Sequence, residues 1–95
     1  MKNSTEQCYR PSRHVTRHAR RRMAERGISR DAISATLTYG HVAYRPGVRI
    51  FSVGRQDIAE WARTGVDLGA YEGVHVVCSL KDTNIMTVYR RAGSR

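Results

Sequence analysis

Apolar positions recur along this chain with two different periods, and the change of period marks out its elements. From Val15 to Ile28 the spacing is helical: Val15, Ala19 and Met23 form one stripe at about 100° per residue. Ser12 and Thr16 are both suited to cap the start, and Gly27 to stop the end. Ile28 then packs, and Ser29 caps a second helix with Asp31 favourably placed in its first turn. The spacing predicts that helix over Arg30 to Tyr39, closed by Gly40. Ile33 and Leu37 lie on one side of it and Ala32, Ala35 and Tyr39 on another, which predicts packing on two sides. The link between the helices is long enough only for a helical hairpin or a sharp corner.

The period then shortens to that of a strand. His41 to Arg45 and Val48 to Val53 read as extended runs joined by the turn dipeptide Pro46-Gly47. Arg55 to Thr64 returns to helical spacing, with Ile58, Trp61 and Ala62 on its apolar side and Gly65 as its stop. Residues 65–73 hold three glycines and read as a loop. Val74 to Leu80 alternates: Val74, Val76, Cys78 and Leu80 face one way, His75, Val77 and Ser79 the other. Lys81 to Asn84 is a turn, and Ile85 to Arg90 pairs back as the last strand. There are no internal repeats. The expected class is α+β, two N-terminal helices packed on a small antiparallel sheet of about four strands, with an extra helix between the second and third strands. Residues 14–90 form the single domain, flanked by a mobile basic arm over 1–13 and a mobile tail over 91–95.

Composition narrows the function. A chain of 95 residues is one domain with a small core. Seventeen basic residues stand against eight acidic ones, a formal charge of +9, and all but two of the basic residues are Arg. Arginine suits planar, bidentate recognition of phosphate and carboxylate. The expected partner is therefore a polyanion: nucleic acid, or an acidic protein that masks the surface. No signal peptide is visible and no apolar run approaches a membrane span, so a cytoplasmic protein without a membrane partner is expected. Two cysteines, Cys8 and Cys78, do not make a disulfide framework, and Cys78 reads as a buried hydrophobe.

The first helix concentrates the charge. His18, Arg22 and Arg26 are spaced i, i+4, i+8 and form a row along the edge of the apolar stripe, whereas Arg17, Arg20, Arg21 and Ala24 take the solvent side. Arginines in that row must line a cleft or be paired, because buried charge is costly otherwise.

The segment His18-Ala19-x-x-Arg22-Met23-x-x-Arg26-Gly27-Ile28 resembles the signature of a bacterial family catalogued as a domain of unknown function. The likeness continues in Gly40, in His75-Val76-Val77 and in Thr87-Val88-Tyr89. That family in turn resembles RelE/ParE and BrnT toxins, small basic α+β proteins with two N-terminal helices on a curved antiparallel sheet. The resemblance implies a RelE-like fold and, for some members, RNA cleavage; others of the group do not cleave RNA. The segment Arg55–Gly73 is longer than the simple strand connection of many members.

Metal-free RNA cleavage needs a base for the 2′-hydroxyl, an acid for the leaving oxygen and cations for the phosphate. The catalytic candidates are His18, His75 and Tyr89, and the phosphate- or RNA-binding candidates Arg22, Arg26 and Arg90. Each has a structural alternative: His18 bonded to a carbonyl, Arg22 and Arg26 in ion pairs or at the helix end, Tyr89 in the core or at the sheet edge. No metal site is expected from His14, His18 and Cys8, since Pro11 and Ser12 place His14 ahead of the regular helix. No Gly-rich phosphate loop is present, and no cofactor is expected. The expectation is a toxin-like, RNA-directed protein, in its enzymatic form a metal-independent ribonuclease neutralised by an acidic antitoxin. The alternative is a non-catalytic nucleic-acid-binding module whose arginines only hold phosphates.

Overall fold

Two short polar side chains start the helical layer. The Thr16 hydroxyl accepts the Ala19 N–H at 3.1 Å and opens helix α1 (Arg17–Arg26). Gly27, at φ 64° and ψ 36°, closes it in the left-handed conformation that costs glycine least. Ser29 accepts the Ala32 N–H at 3.1 Å and opens α2 (Arg30–Tyr39). The computed structural model describes residues 14–91. The arm expected over 1–13, with Ser12 as a cap, and residues 92–95 of the expected tail lie outside the described residues.

The remaining elements are β1 (His41–Arg45), β2 (Val48–Ser52), α3 (Arg55–Ala62), a 3-10 turn (Gly69–Tyr71), β3 (Val74–Ser79) and β4 (Ile85–Arg90). The strands form one antiparallel sheet in the order β1-β2-β3-β4. Among the described residues, three helices on a four-stranded open sheet make this an α+β fold. The loop over 65–73 contains the 3-10 turn, and α3 ends two residues before the expected Thr64. Its Ile58 and Trp61 are half-buried and Ala62 is exposed, so α3 packs against the body by one edge only. Trp61 anchors it, donating its Nε1–H to the Tyr39 carbonyl at 3.1 Å and meeting the Tyr39 ring edge-on at 4.7 Å.

The core lies between the helices and one face of β3 and β4. Val74, Val76, Cys78, Ile85 and Val88 meet Ala19, Ile28, Ala32, Ile33 and Leu37 there, all of them buried. Burial of a Val, Ile or Leu of this kind stabilises by about 1.5–3 kcal/mol. Leu80 departs from the expected alternation: the strand ends at Ser79, and Leu80 is 45% exposed. A bulge between Val77 and Cys78 leaves Met86 as the extra residue of β4. Its carbonyl is taken up by the Thr16 hydroxyl at 3.2 Å, and a parallel bridge from Val15 to Ile85 fixes the entry of α1 beside the same strand. Among the described residues no helix is long and apolar enough to cross a membrane.

Gly40 joins α2 to β1 in ordinary extended backbone, so its glycine is demanded by space. A Cβ there would stand 2.5 Å from the Ser52 carbonyl oxygen and 2.6 Å from that of Thr36. Gly40→Ala is expected to lower unfolding free energy by more than about 2 kcal/mol in a urea titration. Gly27→Ala, in open space but at positive φ, is expected to lower it by about 1 kcal/mol.

Candidate functional site

With the helices on one face, strand alternation directs every second side chain to the other. The two-residue turn Pro46-Gly47 sets Arg45 opposite Val48, and counting back along the hairpin sets His41 opposite Ser52. Ser52 in turn pairs with His75, and His75 with Tyr89. One row of the open face therefore reads His41, Ser52, His75, Tyr89. Arg91 follows the end of β4 on the same side. Two adjoining hollows of ≈370 and ≈310 Å³ meet at His41, Ser52, His75 and Arg91.

Each ring in the row is held by a specific bond. The Gly73 carbonyl accepts from His75 Nδ1 at 2.7 Å, which leaves Nε2 with a lone pair. Tyr89 stacks on the His75 ring, 4.7 Å between centroids and 14° between planes. Burial pushes the His75 pKa below the ordinary 6.5; the Gly73 carbonyl opposes this, and the charges of Arg91 and His41 add to the lowering. At neutral pH His75 is thus an unprotonated imidazole with Nε2 available, the state a general base requires.

His41 is held from the opposite side. Its Nδ1–H donates to Asp57 Oδ2 at 2.7 Å, and the same carboxylate oxygen accepts the Gly54 N–H at 2.8 Å. The side chain of Asp57 is only 14% exposed and that of His41 59%, so the ring is open to solvent and the carboxylate behind it holds the ring. In the neutral ring this leaves Nε2 to accept from the Ser52 hydroxyl at 3.2 Å. Asp57, His41 and Ser52 follow the order of a serine-nucleophile triad. An oxyanion site beside Ser52 is missing, however. The N–H groups of Val53, Gly54 and Gly73 are committed to Val74, Asp57 and Val53, and Ser52 itself is 8% exposed. The hydroxyl positions the imidazole.

Of the residues expected from the sequence, His75 and Tyr89 come together here. Arg90 does not join them: it pairs with Val74 and so points to the helix side, and Arg91 takes the place expected of it. His18, Arg22 and Arg26 lie on α1, in the layer behind the sheet. Of the two outcomes expected for arginines in that row, lining a cleft or being paired, Arg22 takes the second, and none of the three meets His75 and Tyr89. His18 and Arg26 are exposed, and Arg22 is spent within its own helix, donating from Nη1 to Glu25 at 3.0 Å and from Nε to His18 Nε2 at 3.4 Å. The reason is the parity of β3: valines at 74 and 76 draw the helices to one face and send His75 to the other. His41, Ser52, Asp57 and Arg91 were not among the expected site residues. Among the described residues no group of three or more His, Cys, Asp or Glu is placed to hold a metal ion.

Fold and site together define a small, strongly basic α+β protein with two imidazoles on an open sheet face. The chain belongs to the family described as a domain of unknown function (DUF4258), whose model matches residues 15–90. Neither the curated proteins nor the solved structures compared with it include a match.

A His75 pKa below its unfolded value means that the unfolded chain binds the proton more readily. The stability His75 contributes is fully present above pH 6.5 and is lost as pH falls through the lowered value. Relative to His75→Gln, the natural protein is expected to lose stability on acidification below pH 6.5, read from urea midpoints across pH. The His75 resonance in an NMR titration is expected to have a midpoint below that of an ordinary histidine, and Arg91→Ala to raise it.

Proposed function

We propose that the open face of the sheet is an RNA site, and that the protein is a toxin-like, metal-independent ribonuclease. The observation that carries this reading is the pair of oriented imidazoles, His41 and His75, on one row of a face that also presents Arg45 and Arg91. Their Cα atoms are two strand spacings apart, about 10 Å. Rings reaching inward from both sides bracket a phosphate. His75 Nε2 takes the 2′-hydroxyl proton as that oxygen attacks phosphorus. The bond from phosphorus to the 5′-oxygen breaks, and His41, which enters the step as the imidazolium with its Nδ1–H on Asp57, gives its Nε2 proton to the leaving oxygen. The products are a 2′,3′-cyclic phosphate and a 5′-hydroxyl. Arg91, beside the imidazole row, stabilises the charge on the phosphoryl oxygens, and Tyr89 stacks on the His75 ring and holds it in place. The formal charge of +9 supports a polyanionic substrate, and the toxin reading rests on the resemblance of the family to RelE/ParE and BrnT toxins. An acidic antitoxin is the partner such a surface fits.

One observation favours the second reading, a non-catalytic nucleic-acid-binding module. Arg17, Arg20 and Arg21 are exposed together on the solvent side of α1 and make no ion pair among the described residues. Such a ridge holds phosphates without chemistry. The two readings separate in one experiment on purified protein and an RNA oligonucleotide. His75→Ala and His41→Ala are expected to lower cleavage by about 10²–10⁴-fold each, with His18→Ala leaving the rate unchanged. Binding without cleavage, falling steeply as salt rises, would establish the second reading.

A further inference from the structure

The imidazole row occupies one end of the open face. Two residues further along the strands, Ala43, Ile50, Val77 and Thr87 stand opposite one another in a second row. All four are half-buried, so this row is partly accessible and almost wholly apolar. An antiparallel sheet with helices on one face ordinarily turns polar residues to the other. Ala43 and Ile50 line the same ≈370 Å³ hollow as His75 and Tyr89, with Arg91 by the imidazole row and Arg45 beyond the apolar one.

Spacing gives this sequence of rows a meaning. The apolar row lies about 7 Å from the imidazoles, and Arg45, four residues along β1 from His41, about 13 Å. The face therefore offers cation and imidazole, then an apolar floor, then a second cation. A nucleotide carries the same three kinds of group, two phosphates joined through the sugar and a flat base branching from that sugar between them, and the length of the Arg45 side chain covers the remaining distance. In a duplex the base faces are stacked on one another and unavailable, so only an unpaired nucleotide can lay one on Ile50. An acidic peptide would satisfy the two arginines and leave the floor between them bare.

We propose that Ala43, Ile50 and Val77 form a nucleobase seat, that Arg45 clamps the phosphate beyond it, and that the site accordingly takes an unpaired nucleotide. Ile50, at the centre of the row, is the specificity-determining residue. This inference rests on reading the open face as an RNA site.

The test uses the full-length protein and a short 2′-O-methyl RNA single strand, whose blocked hydroxyl prevents cleavage. A second strand keeps every phosphate and carries abasic residues throughout. The abasic strand is expected to bind about tenfold more weakly, the effect of burying roughly 55 Å² of apolar surface. Ile50→Ala is expected to weaken the base-bearing strand severalfold and leave the abasic strand unchanged, with Ile50→Leu restoring the difference. A paired duplex of the same sequence is expected to gain nothing over the abasic strand. Equal binding of the base-bearing and abasic strands would overturn the seat, and RNA cleavage that still depends on His75 would then leave the open-face reading standing. Failure of every strand to bind at low salt would overturn both. If sedimentation shows a dimer that Ile50→Ala disperses, the row is a contact between copies and the seat is overturned.

Discussion

The parity of strand β3 fixes both what holds this protein together and what it can offer a ligand. Val74, Val76 and Cys78 are fully buried against α1 and α2, and the residues between them, His75 and Val77, lie on the opposite face. A slip of one residue in register would exchange the two sets. It would drive the His75 imidazole into a core of valine and isoleucine, where an unsatisfied polar ring costs several kcal/mol, and set Val76 among the site residues. The apolar burial that selects the register is thus also what aims the imidazole. Stability and the aim of the imidazole are coupled through a single strand.

The second constraint is the oxygen atom Asp57 Oδ2. It accepts the amide at the start of α3 and the Nδ1–H of His41 together. A carboxylate in the first turn of a helix is already favoured by the exposed N–H groups and the helix dipole. The helix is therefore nucleated by the same group that fixes the ring, so α3 acts as a bracket inserted between β2 and β3. None of its residues is fully buried, and its hold on the body is the Trp61 bond and ring contact with Tyr39. Its value to the structure lies in where it puts one carboxylate. That placement also explains how a chain with only eight acidic residues keeps one of them in the basic region of the molecule: Asp57 neutralises no arginine and is covered from solvent.

Much of this was legible in the sequence where local rules decide. Gly27 and Ser29 sit at helix boundaries by capping chemistry, α2 and β4 run over the residues that periodicity predicts, and the Val74 alternation shows which side of β3 is dry. The hairpin was equally readable: a two-residue turn at Pro46-Gly47 leaves one register, which aligns His41 with Ser52. The signal for Asp57 was weaker, an acid three residues past Gly54 at the start of a predicted helix, and nothing local says that its free lone pair would meet a strand across the turn. Arg90 and Arg91 could not be told apart without the bulge at Met86, which sets the pairing of the whole strand. Leu80 followed the alternation by composition, but the turn at Thr83, held at φ 60°, ends the strand before it.

The helix that stands out in the sequence has a physical role of its own. Ala19 is wholly buried where α1 crosses β4, Gly27 supplies the left-handed turn, and Ile28 is buried between the helices. A larger side chain at Ala19 would lift α1 from the sheet, and any other residue at Gly27 would strain the corner into α2. His18, Arg22 and Glu25 bond one another along the exposed side, which steadies a helix whose first turn carries no acid to balance its dipole. Apart from the exposed arginines, then, the segment is accounted for by packing and capping. It builds the layer that seals one face of the sheet, and by sealing that face it determines that any chemistry takes place on the other.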